Sequence, residues 1–169
     1  MERKPTIYLE TNIFSSLCYR GGSLVASIRQ LKMAEWWHFE LSHFACSTSL
    51  HTERELTAGA YRGQENAIFA AKSFPYLPMT ADVRICYGIL VDSRLFPQTE
   101  FDDALHLAFA TSNRLDYLLT WNHAHLANMT VQKKLEKLAG QHQWRYPWIV
   151  TPDSIPWTSM GGVIRRKDD

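Results

Sequence analysis

The chain has 169 residues, 46% hydrophobic and 21% charged, with 18 Lys and Arg against 17 Asp and Glu for a formal net charge of +1. That excludes a disordered segment or a core that depends on disulfides or metal, and it points to one ordinary domain held by packing. Near-neutrality also excludes a histone-like basic arm, which removes the bulk-charge reason for binding nucleic acid but not nucleic acid itself.

The opening MERKPTIYLE has too few apolar residues for a signal peptide, and no run of about 18 apolar residues follows it. Cys18, Cys46 and Cys86 match no zinc spacing and no disulfide framework. A cytoplasmic protein with no membrane partner is expected. Residues 7–9 form the first of three apolar runs that lack alternation, as strands buried on both faces of a parallel sheet do. The others are 116–121 and 148–150, and 43–47 is a weaker fourth.

Between these runs the spacing predicts helices. Ser23 reads as an N-cap, followed by Leu24, Ile28 and Leu31 at i, i+4, i+7 and then by Trp36 and Trp37. These two tryptophans cannot both face inward, which leaves one for a partner surface. Helical pieces are predicted over 49–58, stopped by Gly59, and over 60–73, stopped before Pro75. Another follows Thr80 with Val83, Tyr87, Leu90 and Val91 on one side. Thr99-x-x-Asp102, after Pro97, resembles a capping box opening a helix to Asn113. A last helix is expected from His123, and Lys133, Lys134 and Lys137 share one helix, by default as a solvated face. Residues 1–152 are expected to form the domain and 153–169 an appendage outside its core.

Strands alternating with helices predict an α/β domain, and in such sheets ligands bind beyond the C-terminal ends of the strands. Glu10 directly follows the first run, with Thr11 and Asn12 placed to cap the next helix and to hydrogen-bond the carboxylate. Alone, Glu10 reads more simply as a charge on a helix dipole. Glu55, in STSLHTERELTAG, lies near an inward stripe, whereas Glu53, two positions earlier, reads as solvated. Asp102 and Asp103 open a helix; Asp102 is assigned to its cap and Asp103 to the site. Asn122 follows the strand 116–121 as Glu10 follows the first; with Thr120 it is placed to orient water or phosphate, the simpler reading being an Asx turn. Three acids and an amide at element ends suit a hard divalent cation such as Mg²⁺, which takes a few carboxylates and substrate phosphate oxygens.

These segments in order, IYLETN, ERELTAG, DDALHLAFA and DYLLTWNHAHLAN, resemble PIN-domain ribonucleases of the VapC-like toxin group over roughly residues 6–152. The resemblance implies a three-layer α/β/α domain with a central, mostly parallel sheet of about four strands. It implies a Mg²⁺- or Mn²⁺-dependent endoribonuclease, often a homodimer and often paired with a small antitoxin protein. Position by position, Glu10, Glu55 and Asp103 match the family's acidic triad and Asn122 its fourth position; Asp102 is an extra neighbour, and Thr11, Asn12 and Thr120 are supporting residues by their place beside these. Glu10 departs from the family's more common Asp. One extra methylene displaces the carboxylate, and this leaves open a catalytically impaired module that binds RNA or a protein.

Other signals are weaker. His51-x-Glu53 echoes a zinc deaminase opening, but no Pro-Cys-x-x-Cys accompanies it. His123 and His125 read as surface residues, and His106, three after Asp103, as a buried, hydrogen-bonded helix residue that approaches the site at most. A phosphatase or receiver domain would call for Asp rather than Glu after the first strand. No GxGxxG, Walker A or GxSxG motif occurs.

Overall fold

The computed structural model describes residues 3–97 and 99–155. Five strands, β1 (Thr6–Leu9), β2 (Ala45–Ser49), β3 (Tyr76–Leu77), β4 (Tyr117–Leu119) and β5 (Trp148–Val150), form one sheet in the order β3-β2-β1-β4-β5, with every pairing parallel. The expected sheet is present with one strand more than the sequence indicated. The addition is the two-residue edge strand β3, too short to register as an apolar run.

The helices are α1 (Thr11–Cys18), α2 (Leu24–Phe39), α3 (Leu50–Ala58), α4 (Gln64–Lys72), α5 (Ala81–Asp92), α6 (Phe101–Ser112) and α7 (Met129–His142). Alternation along the strands divides the core in two. Ile7, Leu9, Tyr117, Leu119 and Val150 face one cluster with Ile13, Phe14, Met33, Trp36, Leu56 and Ala67, from α1 to α4. Tyr8, Leu118 and Ile149 face the other, with Val83, Leu90, Leu107, Ala108, Val131 and Leu135 from α5, α6 and α7. The result is the expected three-layer α/β/α domain.

Ser23, Ser49 and Thr80 cap α2, α3 and α5, their hydroxyls accepting from Ala26, Thr52 and Val83 N–H. Several local expectations are corrected. On α2 the stripe that meets the core is Met33 and Trp36, while Leu24 and Leu31 are 76% and 62% exposed. Trp37 is not left for a partner, because it packs edge-on against Phe14 and Phe74 at centroid distances of 6.1 and 5.5 Å. The helix predicted over 60–73 begins only at Gln64, after Gly63 turns the chain at φ 98°. A Cβ at Gly63 would lie 1.9 Å from the Cys18 carbonyl oxygen, so only glycine allows the start of α4 to close on the end of α1. Asp102 does not cap α6: the N-cap is Glu100, with no side-chain cap bond. Residues from His123 form turns, and α7 starts at Met129 behind an Asn128 cap. Of the expected appendage, Ile155 is buried in the α1–α4 core cluster and Asp153 pairs with Lys32, while 156–169 lie outside the described residues.

At the N-terminal edge of the sheet a buried carboxylate ties three strands. Asp116 accepts from Thr6 N and Thr6 Oγ1, both at 2.8 Å, and from Arg145 Nη2 at 2.6 Å and Arg3 Nη2 at 3.3 Å. Its own N–H donates to Thr6 Oγ1 at 3.0 Å. Removing the carboxylate strands the Thr6 N–H and breaks two ion pairs to guanidinium groups, so Asp116→Ala is expected to lose about 2–3 kcal/mol of unfolding free energy in urea. A loss below about 0.5 kcal/mol would show that Asp116 is not the tie described.

Candidate functional site

Parallel pairing puts the C-terminal ends of β1, β2 and β4 side by side, and the candidate residues gather there. Leu9 aligns with Leu119, so Glu10 and Thr120 are the next residues on adjacent strands. Thr120 Oγ1 donates to Glu10 Oε2 at 3.1 Å, and Glu10 N donates to the Leu119 carbonyl at 3.3 Å. Glu10 is itself the N-cap of α1, accepting from Asn12 N at 3.2 Å. The helix-terminus reading of Glu10 and the site reading therefore describe one carboxylate. Asn12 does not cap the helix with its side chain. Its Oδ1 accepts from Trp121 N at 2.7 Å and its Nδ2 donates to Thr120 Oγ1 at 3.3 Å, which fixes the β4 exit against α1.

Asp103, on the first turn of α6, is 6% exposed, and its two carboxylate oxygens accept from Asn122 Nδ2 at 3.1 and 2.9 Å. Asn122 Oδ1 accepts from His125 N at 3.0 Å, three residues on rather than the two of the expected Asx turn, while its amide N–H holds the acid. Glu55 reaches the same region from α3 and accepts a short hydrogen bond from Thr11 Oγ1. Glu53 is not simply solvated: it accepts from Tyr76 Oη at 2.8 Å and pairs with Lys72 at 3.1 Å. Asp102 is exposed and faces His51, with 3.1 Å between Oδ1 and Nε2.

The residue that organises the acids is His106, one turn after Asp103 on the same helix face. It is 1% exposed. Its Nε2 lies 2.7 Å from Glu55 Oε2 and 4.0 Å from Glu10 Oε1. Its Nδ1 lies 3.0 Å from Tyr8 Oη, which also bonds Ser49 Oγ at 2.7 Å and Thr52 Oγ1 at 3.2 Å. His106 is thus both buried and part of the acidic cluster. His51, one turn before Glu55, stacks at a tilt on His106 with centroids 5.0 Å apart. His51 carries no complete zinc-deaminase signal in the sequence, and its partners here are Glu55, at i+4, and a histidine 55 residues further on.

Burial pushes Glu10 up to about 7, a rise aided by the charges of Glu55 and Asp103 and opposed by His106. Burial likewise pushes Asp103 up to about 6, against the pull of His106 and the Asn122 amide. For Glu55 burial is outweighed by the hydrogen bond and charge of His106 and by Thr11, so its carboxyl falls below the ordinary value. His106 is raised well above an ordinary imidazole: burial opposes its charge, and Tyr8, Glu55 and Glu10 together outweigh burial.

Among the described residues two sets of side chains offer ligand atoms within 4.8 Å of one another and could hold a metal ion: His51, Glu55 and His106, and Glu100, Asp103 and His125. Glu55 falls in the first set and Asp103 in the second, so neither set holds the expected triad together, and Glu10 belongs to neither but lies 4.0 Å from His106 of the first. No family model, no curated protein and no solved structure matches the chain. No helix of the described residues is long and apolar enough to cross a membrane.

The shifts set a pH dependence. As pH rises from 4.5 to about 7, unfolded Glu10 releases its proton while folded Glu10 retains it, so stability falls through that window. Asp103 acts the same way from 3.8 to about 6. Raised His106 stabilises at low pH and loses that contribution as pH rises through its folded value, while the lowered Glu55 opposes the trend only at the acid end. In chelator, Glu10 alone should lower the unfolding free energy by roughly 3 kcal/mol across its window. Urea unfolding of Glu10→Gln against pH should show a correspondingly flatter curve. Parallel curves for the two proteins would refute the assignment.

Proposed function

We propose that the chain is a divalent-cation-dependent endoribonuclease, Glu10, Glu55 and Asp103 holding Mg²⁺ or Mn²⁺ and Asn122 assisting. The observation that carries this reading is the gathering of three carboxylates at the C-terminal ends of parallel strands, two of them held near 7 and 6 by burial. Carboxylate oxygens suit hard divalent cations, and the surplus negative charge is what a cation relieves, with histidines sharing each set of ligand atoms around Glu55 and Asp103. Bound there, the ion would polarise a phosphodiester and lower the cost of forming a nucleophile from water.

The protein's own residues have separate tasks. Asn122 holds both oxygens of Asp103 in one orientation. Thr120 and the Asn12 N–H fix one oxygen of Glu10, leaving the other toward His106. Tyr8 holds the His106 ring, which in turn holds Glu55. Outer partners of this kind typically matter 10- to 100-fold, roughly, in metal affinity or activity. The resemblance to VapC-like toxins extends the proposal to an RNA substrate, a homodimer and a small antitoxin partner.

A second reading rests on His106. An imidazolium 2.7 Å from Glu55 balances part of the acidic charge without any metal, as in a non-catalytic module that binds RNA or protein. A mixed RNA pool incubated with Mg²⁺ or Mn²⁺, with and without chelator, separates the two. Cleavage is expected with the ions, lost in chelator and lost in Asp103→Asn, while Asn122→Ala should retain between about a tenth and a hundredth of the rate. Equal cleavage by wild type and Asp103→Asn, or cleavage that survives chelation, rules out the metal-nuclease reading. RNA or protein binding without cleavage selects the module.

A further inference from the structure

A cavity of about 450 Å³ opens beside the acidic cluster, between α1, α2 and α3, within the size range of small-ligand sites. Its wall at the cluster end is Thr11 and Glu55, the pair that hydrogen-bond each other. It is also lined by Tyr19 and Tyr61, whose rings lie 6.3 Å apart at 39°, and by Arg29. From the sequence alone Tyr19, Tyr61 and Arg29 belong to no motif. They are brought together by α1 packing against both α2 and α4, and the turn at Gly63 permits the second contact.

Two observations indicate an occupant. The Tyr61 hydroxyl is buried and has no hydrogen-bond partner among the described residues, a cost normally relieved by a ligand or water. The Arg29 guanidinium makes no ion pair among the described residues. It lies 5.8 Å from the centroid of the Trp121 ring, on the segment leaving β4 toward Asn122. The cavity therefore brings together one carboxylate, Glu55, two tyrosine rings, a guanidinium that makes no ion pair among the described residues and a hydroxyl without a partner among them. This set of groups matches a nucleotide unit: an anionic phosphate, which the acid repels and a guanidinium binds, joined to a flat base that stacks on aromatic rings.

We propose that this cavity is the subsite for the nucleotide next to the scissile phosphate. Arg29 takes that nucleotide's phosphate, Tyr19 stacks on its base, and the Tyr61 hydroxyl reads the base edge. This rests on the ribonuclease reading and adds the element that selects the substrate. An occupied base edge would make the subsite selective, because a hydrogen-bonding group buried against the wrong base stays unpaired.

Binding measured apart from cleavage tests the proposal. Fluorescein-labelled single-stranded RNA of random sequence is titrated by anisotropy in chelator, over a salt series, with wild type, Arg29→Ala, Tyr19→Ala and Tyr61→Phe of confirmed thermal stability. Arg29→Ala should bind about tenfold more weakly, with the slope of log affinity against log salt reduced by about 1. Tyr19→Ala should lose about tenfold with an unchanged salt slope. Tyr61→Phe, which keeps the ring and the packing, should narrow the differences in affinity among homopolymeric RNAs. Wild-type affinity and salt slope in Arg29→Ala, together with unchanged base preference in Tyr61→Phe, overturn the subsite. If those results come from a wild type that cleaves RNA, the nuclease reading survives without it. A wild type that neither binds nor cleaves RNA overturns both.

Discussion

Compensation of buried negative charge by the His106 imidazolium is the interaction on which the C-terminal edge of the sheet depends. Glu10 and Asp103 are almost enclosed, and Glu55 is half-enclosed. Without a cation among them the acids would have to stay protonated or the elements carrying them would be driven apart. His106 supplies that cation from α6 and is itself anchored by Tyr8 of β1, which bonds Ser49 and Thr52 at the start of α3. One ring thus links both faces of the sheet: β1 and α3 hold it, while α6 carries it.

The opposite edge of the sheet makes an informative contrast. Asp116 is also a buried carboxylate, but two arginines and Thr6 satisfy it, so its role is complete within the protein. Glu10 and Asp103 accept fewer hydrogen bonds and keep carboxyls held well above the usual range. A protein built only for stability has no reason to leave one end of its sheet with that residual demand while meeting it fully at the other.

Much of this was legible in the sequence. Strands buried on both sides leave unbroken apolar runs, and Ser23, Ser49 and Thr80 mark helix starts because a short hydroxyl at that place satisfies an otherwise free N–H. The positions of Glu10, Asp103 and Asn122 follow from the same logic, since each directly follows a strand or opens a helix. What was not legible depends on distances between elements. Tyr76–Leu77 pairs only because β2 offers an edge, and Leu24 and Leu31 have helical spacing yet face outward because Met33 and Trp36 fix the rotation of α2. His106 carried a signal in its spacing from Asp103. Its meeting with Glu55 and His51 required α3 and α6 to converge across β1, which no local pattern encodes.

The turn at Gly63 has a reach beyond its own backbone. With no side chain it lets the carbonyl of Cys18 sit where a methyl group would otherwise be, and Arg20 N hydrogen-bonds the Arg62 carbonyl at 3.1 Å alongside. Tyr19 and Tyr61 flank this crossing, so their separation is set by how closely two main chains approach rather than by the rings themselves. Any larger residue at 63 would act as a wedge, and its first effect would be to widen the gap between the two tyrosines. A single missing carbon thereby sets the gauge of a cleft whose walls it never touches.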